Sequence, residues 1–491
     1  MSEQAAFSET AAPSGIRRVG LIAGPILSLA ILLTPAPAGL GPSAQAVAAV
    51  GVLMAVWWMT EAVPLAITAL LPLVLFPLLG ARTLDATAVS YSNPLIFLFL
   101  GGFILARALE RWNLHRRLAA RVVRLVGEQP AAVIGGVMAI TAFLSMWISN
   151  TATAMVMLPI GQSIVARYVD RGIADPTRPN GFSPALMLSI AYAATIGGMG
   201  TLIGTPPNAL FAGYMKDAYG VDVGFATWML VGIPVVLVLL PLAWLQLTRV
   251  TFRMPALDAA IIQREAPAED VLPPMGGPEK TVAAVMSLVA LGWLTRPLID
   301  SLVPGLGLTD AGIAMTGAVL LFLLPADWKK GEFLLRWADL KALRWDVLIL
   351  FGGGLALAGA IGDSGLAEWI GSMLSALERL PEALMILLVM AIIVYLGELA
   401  SNTAMAAVFL PVAGAAAVGM GADPLSLALP VALAASLGFM LPVATPPNAI
   451  VFGSGAVTGA QMLRAGMLLN VIAIAVVAVV ATTLAPLVFG P

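Results

Sequence analysis

Residues 145–159 read SMWISNTATAMVMLP, so a polar Ser-Asn-Thr tripeptide interrupts a long apolar stretch. The same tripeptide interrupts a second apolar stretch at residues 397–411, which read GELASNTAMAAVFLP. Each copy is followed by a Thr-Pro-Pro-Asn sequence, at residues 205–208 and 445–448. A bilayer core tolerates irregular backbone only against protein or a water-filled cavity. Two such breaks in corresponding halves of a chain indicate a transporter with a binding site near the membrane midplane.

The composition is that of an integral membrane protein. Of 491 residues, 60% are hydrophobic and 11% are charged, and the mean hydropathy is +0.97, which is far too apolar for a soluble domain. There is no cysteine and one histidine, His115, which excludes disulfides and leaves no usual zinc site. A membrane-embedded enzyme would need a nucleophile–base pair, a metal cluster or paired acids at depth. We therefore expect neither an enzyme nor an organic cofactor nor a nucleic-acid partner.

Eleven apolar runs are long enough to span a bilayer. The first follows Arg17-Arg18 and resembles a signal peptide, but a membrane anchor is favoured because the rest of the chain is equally apolar. Two more stretches, 131–165 and 383–415, are divided near their centres by Ser-Asn-Thr. Each is predicted to be a re-entrant hairpin of two half-helices, and one kinked span is the alternative. The eleven runs are 19–35, 44–60, 62–80, 93–109, 184–204, 226–247, 280–300, 309–325, 345–361, 425–443 and 465–488.

The basic residues predict the orientation of the chain. With a cytoplasmic N-terminus and hairpins that return to the side they came from, the 25 Lys and Arg residues split 21 to 4 in favour of cytoplasmic segments. If each hairpin were a single span, the basic segment from Lys329 to Arg344 would face outside, against the positive-inside rule. The sequence therefore predicts an all-α, multi-pass protein of the cell inner (plasma) membrane.

The two halves of the chain repeat. Residues 98–159 find counterparts 252 positions later, including the glycine pair Gly101-Gly102, both tripeptides and the Leu-Pro that follows each. The arm at 107–126 is basic and its counterpart at 363–380 is acidic, which predicts an inverted repeat with arms at opposite membrane faces. The predicted organisation is a disordered tail (1–16), a first half with repeat 1 (17–249), a cytoplasmic linker (250–279) and a second half with repeat 2 (280–491).

The motifs suit an anion and a small cation. A helix that begins at Ser-Asn-Thr presents backbone N–H groups and the positive end of its dipole, so two facing tips would hold two carboxylates of one molecule. In Thr-Pro-Pro-Asn the prolines free upstream carbonyls, and nearby glycines permit an unwound backbone whose carbonyls coordinate Na⁺. No Lys or Arg lies in the four motifs. A bound dianion then needs co-bound cations, which predicts sodium coupling.

From about residue 45 to 490 the chain resembles the divalent anion–sodium symporter family. The resemblance rests on WWMTEAVP at 57–64, SMWISNT at 145–151, SNT at 401–403 and LPVATPPNAIVFG at 441–453. Members of this family carry C4-dicarboxylates, citrate or sulfate. The resemblance implies a homodimer in which a scaffold domain makes the dimer contact. It also implies a transport domain, holding both hairpins, that moves as an elevator.

The resemblance further implies Na⁺-coupled import of succinate, malate or fumarate, with Na⁺ as the co-transported ion. It places one Na⁺ near Ser145, Ser149, Asn150 and Gly198, and another near Ala400, Asn402 and Ala444. Substrate contacts are expected on both tripeptides and the second proline motif, at Ser149, Asn150, Thr151, Ser401, Asn402, Thr403, Thr445 and Pro446.

Three residues leave alternatives open. Gly397 stands where many sodium-coupled members have a hydroxyl and where the first repeat has Ser145, so a sodium-independent exchanger of the same fold is the alternative function. Glu398 is either a cation-site carboxylate or a buried, hydrogen-bonded structural acid. His115 lies in the basic arm and is expected to face solvent or lipid.

Overall fold

The computed structural model describes residues 14–118, 129–170, 181–252, 254, 274–303, 305–374 and 381–490. Within them, the expected all-α architecture is confirmed apart from one short antiparallel ribbon, Pro325–Asp327 with Glu332–Phe333. Most of the predicted tail, most of the linker, and parts of both arms lie outside the described residues. The first helix begins at Ser14 and the helix after the linker begins at Gly277, a few residues before the predicted boundaries.

Nine helical segments in the described part of the chain are long and apolar enough to cross a membrane. They are Gly15–Leu33, Pro42–Thr60, Leu84–Arg111, Asn150–Asp170, Phe225–Thr251, Gly277–Leu302, Trp345–Asp363, Asn402–Gly419 and Gly459–Phe489. Shorter apolar helices are Leu65–Leu78, Pro130–Ser145, Phe182–Gly198, Asp310–Leu323, Ala383–Gly397 and Pro424–Ala435. Other short helices include Pro206–Tyr219, Leu366–Leu374 and Pro446–Gly453, with a 3₁₀ turn at Trp337–Ala342.

Three predicted spans are interrupted in the structure. The run 62–80 forms two short helices, Leu65–Thr68 and Leu71–Leu78, because Pro72 cannot continue a preceding helix. The runs 184–204 and 425–443 end as helices at Gly198 and Ala435. Gly and Pro are frequent just beyond both ends, and both residues oppose helix formation.

Both Ser-Asn-Thr sequences lie between two helices. Pro130–Ser145 ends shortly before Asn150–Asp170 begins, and helix Glu382–Gly397 ends shortly before Asn402–Gly419 begins. We call residues 145–151 the first tip and residues 397–403 the second tip. Each is the polar interruption that the sequence predicts.

The helices pack as two groups. Those within 130–251 and 382–489 contact mainly one another and contain both tips, so we call them the tip group. Those within 14–111 and 277–363 form the frame group, while Leu366–Leu374 packs mainly against Asn402–Gly419 of the tip group. The glycine pair of the first repeat serves packing in the frame group, since a side-chain carbon at Gly101 would lie only 2.6 Å from Ala314 Cβ.

The inverted repeat makes a prediction about sidedness. Arg116 and Glu368 are equivalent in the 252-residue repeat, and both are exposed. Because the chain has no cysteine, Arg116→Cys and Glu368→Cys each give a single reactive thiol. In right-side-out membranes we expect an impermeant maleimide to label only the cysteine at position 368, and in inverted membranes only that at 116. Labelling of both from one side would contradict the inverted repeat.

Candidate functional site

The first tip gathers oxygen atoms around one buried hydroxyl. Ser145 is fully buried, and its Oγ lies 2.6 Å from Asn150 Oδ1 and 2.7 Å from the carbonyl of Ala194. A serine hydroxyl carries one proton and can donate to only one of these acceptors. Three oxygens thus converge with one proton between them, and hard cations such as Na⁺ prefer oxygen ligands of this kind.

The other residues of the predicted first sodium site adjoin this cluster. Ser149 Oγ accepts the backbone N–H of Ala152 at 3.2 Å, which caps the helix that starts at Asn150. Gly198 faces the Asn150 side chain so closely that a Cβ would lie 2.5 Å from Asn150 Oδ1. The absence of a side chain at Gly198 therefore lets the asparagine approach the backbone.

The second tip is built differently. Ser401 precedes helix Asn402–Gly419 without a side-chain capping bond, and Gly397 offers no hydroxyl where Ser145 stands in the first repeat. No hydrogen bond holds the Asn402 side chain within the described residues, and that residue is half-buried. Ala400 and Ala444 are buried. The second tip thus lacks a counterpart of the Ser145 hydroxyl, which orients Asn150 at the first tip.

Two asparagines that the sequence did not identify as site residues stabilise the non-helical segments before the proline-motif helices. Asn208 and Asn448 are fully buried. Asn208 Nδ2 donates to the carbonyls of Gly198 at 3.1 Å and Thr201 at 2.8 Å. Asn448 Nδ2 lies 3.2 Å and 3.0 Å from the carbonyls ten and seven residues before it. The same spacing in both copies was the available signal that this asparagine fixes the unwound backbone.

Glu398 stabilises the non-helical segment that follows helix Pro424–Ala435. Its carboxylate accepts the backbone N–H groups of Phe439, Met440 and Leu441 at 2.9–3.1 Å and the Asn470 amide at 2.7 Å. Three successive N–H groups form an anion-binding concavity, and here the protein's own carboxylate fills it. Of the two alternatives for Glu398, the structure favours the hydrogen-bonded structural acid.

The short helix after each proline motif packs against helices of the other repeat. Pro446–Gly453 of the second repeat packs against Asn150–Asp170 and Phe182–Gly198 of the first, while Pro206–Tyr219 packs against Asn402–Gly419 and Pro424–Ala435. The helix that begins at each proline motif therefore packs against the helix that begins at the tip of the other repeat. Of the rest of the predicted substrate set, Thr445 and Thr403 are buried, Thr151 and Ser401 are half-buried, and Pro446 is exposed.

The expectation for His115 was wrong. Its side chain is buried, with 4% of its surface exposed, and Nδ1 donates to the Leu109 carbonyl at 3.0 Å. Burial lowers the pKa of the imidazole, which favours the neutral ring. The basic arm directs His115 toward residues distant in sequence. A local sequence pattern does not predict such burial.

Solved structures of other transporters share the fold. The YdaH transporter of Alcanivorax borkumensis aligns with a TM-score of 0.57 and 14% identity, over 81% of this chain and 87% of that one. MtrF of Neisseria gonorrhoeae, from a class of antimetabolite efflux pumps, aligns with a TM-score of 0.54 and 12% identity, over 95% and 94%. At these identities the likeness extends to the fold alone.

Sequence relatives are much more similar. The sodium-dependent dicarboxylate transporter SdcS of Staphylococcus saprophyticus is 42% identical over 480 residues, which cover 96% of this chain and 92% of that protein. SdcS of Staphylococcus aureus strain USA300 shows the same identity over 481 residues. A family described as the transmembrane region of sodium:sulfate symporters matches residues 17–490. The chain therefore belongs to the divalent anion–sodium symporter family and is a membrane transporter rather than an enzyme.

Proposed function

We propose that this protein imports C4-dicarboxylates such as succinate, malate and fumarate together with Na⁺. The observation that carries the proposal is the oxygen cluster of Ser145, Asn150 and the Ala194 carbonyl at a helix N-terminus. Relatives 42% identical over nearly the whole chain are named sodium-dependent dicarboxylate transporters, which supports the substrate class. We place the protein in the bacterial plasma membrane with its N-terminus in the cytoplasm.

The dicarboxylate lies between the two tips, with one carboxylate at each. At the first tip it meets Asn150 and neighbours Ser149 and Thr151. At the second it meets Asn402, its neighbours Ser401 and Thr403, and the proline motif at Thr445 and Pro446. Helices that begin at both tips direct the positive ends of their dipoles toward the anion. The half-exposed asparagines and the exposed Pro446 leave room for it.

Sodium neutralises the dianion. No Lys or Arg belongs to the four motifs, and an uncompensated charge is costly at membrane depth. One Na⁺ binds the first tip at Ser145, Ser149, Asn150 and Gly198. A second binds near Ala400, Asn402 and Ala444, mainly through backbone carbonyls. Each cation lowers the cost of the anion beside it, so the two kinds of ligand bind cooperatively.

Movement of the tip group against the frame group exposes the site to each side in turn. The packing of both tips and both proline motifs within one group supports an elevator in which the site moves as a unit. The two helix pairs act as re-entrant hairpins of an inverted repeat. The frame group carries the contact of a homodimer.

Uptake of labelled succinate into proteoliposomes tests this function. We expect uptake that needs an inward Na⁺ gradient, and no stimulation when choline replaces Na⁺. Unlabelled malate and fumarate should compete. Strong competition by citrate or sulfate with none by malate would assign the protein to another substrate branch of the family.

The structure of the second tip favours one alternative to sodium symport, which is sodium-independent anion exchange. Gly397 provides no hydroxyl, and the Asn402 side chain has no hydrogen bond within the described residues. If the second cation site is too weak to fill, the anion depends on other neutralising charge. Succinate–succinate exchange at equal rates in Na⁺ and choline would establish this function in place of symport.

Restoring the missing hydroxyl should strengthen sodium dependence. A Cβ at Gly397 would contact only Met405 Cγ, at 3.9 Å, so serine fits there. We expect Gly397→Ser to raise apparent Na⁺ affinity by several-fold, because its hydroxyl can brace Asn402 as Ser145 braces Asn150. Gly397→Ala is the matched control, since it adds the carbon without the oxygen. Equal Na⁺ affinities in the two variants would show that the hydroxyl has no role at this tip.

A further inference from the structure

Close apolar contacts join the tip group to the frame group at several glycines. Gly102 of the frame group faces Ile203 of the tip group so closely that a Cβ there would lie 3.2 Å from the isoleucine side chain. A Cβ at Gly213 of the tip group would lie 3.0 Å from the side chain of Leu355 in the frame group. Apolar contacts are non-directional, so this part of the boundary does not fix one relative position of the two groups.

Polar contacts between the two groups are confined to one short segment of the tip group. In the described part of the chain, the hydrogen bonds and ion pairs that join the groups all involve residues 217–225. These residues run from the end of helix Pro206–Tyr219 to the start of helix Phe225–Leu245. We call them the connecting segment.

At one end of the connecting segment, Asp217 accepts the side-chain amide of Asn93. The two carboxylate oxygens lie 2.9 Å and 2.8 Å from Asn93 Nδ2, and the asparagine is buried, with 6% of its surface exposed. Its Oδ1 accepts the Leu95 N–H at 2.9 Å and thereby caps the frame helix Pro94–Arg111. The frame therefore holds Asn93 in the orientation that offers its amide to the tip group.

At the other end, the connecting segment meets a buried ion pair of the frame group. Asp310 Oδ2 accepts the Phe225 backbone N–H at 2.7 Å and lies 3.2 Å from Arg296. Arg296 also pairs with Asp222 of the connecting segment, at 3.3 Å. The Phe225 ring stacks on Trp293 of the frame, with centroids 4.2 Å apart. Because Asp310 and Arg296 already pair within the frame, they form a prepared acceptor for the segment.

We propose that the connecting segment is a latch, which holds the tip group against the frame group in this conformation and releases it when the binding site moves. Hydrogen bonds weaken steeply with misalignment, whereas apolar contacts tolerate displacement. Directional contacts gathered at one segment of an otherwise apolar boundary therefore support this assignment. The inference rests on the movement in the proposed function, and it adds that Asp217 and Phe225 leave the frame in every transport cycle.

Cross-linking across the latch tests whether it must open. The chain has no cysteine, so Asn93→Cys with Asp217→Cys gives one pair of thiols, which a short bis-methanethiosulfonate reagent joins and a reductant separates. We expect the cross-link to abolish Na⁺-driven succinate uptake until it is reduced, with succinate binding unchanged. Glu332→Cys with Arg336→Cys is the control, since that pair, 2.9 Å apart, lies within the frame group and should transport normally when cross-linked. Normal uptake across the cross-linked latch would overturn the proposal.

Thiol labelling tests the release without transport. Gly224 is buried, and a Cβ there would lie 3.4 Å from both Asp310 and Arg296, so the thiol of Gly224→Cys reacts with a maleimide only when the latch opens. Asp222 and Asp300 provide matched variants, because both pair with Arg296, at 3.3 Å and 3.5 Å, but Asp300 lies on the same helix as the arginine. In the Gly224→Cys protein we expect Asp222→Ala to raise the labelling rate about two- to fivefold, the effect of one exposed ion pair. Asp300→Ala should leave the rate unchanged.

The two experiments separate the latch from the proposed function. Labelling needs neither substrate nor uptake, so it decides the question even where the cysteine pair does not fold. Equal labelling rates with Asp222→Ala and Asp300→Ala would refute the latch. Absence of Na⁺-driven uptake before any cross-linking would instead count against the proposed function.

Discussion

Asn150→Ala is expected to reduce Na⁺-driven succinate uptake by roughly 10- to 100-fold. Asn150 Oδ1 lies beside Ser145 Oγ, and the Asn150 amide fills the space above Gly198. The substitution removes the side-chain oxygen that we propose as a Na⁺ ligand and an amide donor. A hydrogen bond to a charged group contributes about 1.5–3 kcal/mol, and each 1.4 kcal/mol corresponds to about tenfold in affinity. Initial rates in proteoliposomes, measured over a range of Na⁺ and succinate concentrations, provide the check.

Matched serine variants separate a local effect from a folding defect. Ser145→Ala removes the hydroxyl that orients Asn150 and should lower apparent Na⁺ affinity. Ser189→Ala removes an equally buried hydroxyl whose one hydrogen bond within the described part of the chain is to the carbonyl of Leu186 in its own helix, at 2.7 Å. This variant should leave transport intact. Near-normal uptake by purified Asn150→Ala protein would remove the first tip from the site.

Glu398→Ala should have the largest effect on stability. The substitution leaves three backbone N–H groups and the Asn470 amide without their acceptor. Removing one partner of a buried charged network typically costs about 3–5 kcal/mol. We expect a clearly lower unfolding temperature in detergent and a loss of uptake of at least about tenfold, because residues 439–441 lead directly into the second proline motif.

Two controls interpret that result. Glu368→Ala removes an exposed acid from helix Leu366–Leu374 and should change neither stability nor uptake. Glu398→Gln keeps one acceptor oxygen, so its stability should fall between those of the wild type and Glu398→Ala. If Glu398→Ala unfolds at the wild-type temperature but loses sodium dependence, the carboxylate acts in a cation site and the structural assignment is wrong.

The positions of the breaks could be predicted from sequence because polar and helix-breaking residues are conspicuous in apolar surroundings. Both tips begin new helices at the tripeptide asparagines, Asn150 and Asn402, as the capping preferences of Ser and Asn suggest. The ends of the runs 184–204 and 425–443 were less predictable. Hydropathy continues through those residues, while the backbone stops being helical.

Long-range partners could not be predicted. The three N–H groups that bind Glu398 lie 41–43 residues further along the chain, and their availability depends on an unwound backbone that hydropathy does not show. His115 is buried at a cavity that it lines together with Gly277–Leu302 and the first tip, two elements distant in sequence. Asn208 and Asn448 bond to carbonyls that are free because the preceding backbone is not helical. Their roles can therefore be recognised only from the folded backbone.

The proposed function requires that Na⁺ and the dianion stabilise one another at the tips. Calorimetric titration of the purified protein tests this most directly: succinate affinity is measured at several Na⁺ concentrations, and Na⁺ affinity at several succinate concentrations. Binding linkage is reciprocal and typically amounts to a factor of about 5–150. We predict that Na⁺ raises succinate affinity by the same factor as succinate raises Na⁺ affinity. Identical succinate affinity in Na⁺ and in choline would contradict sodium coupling at this site.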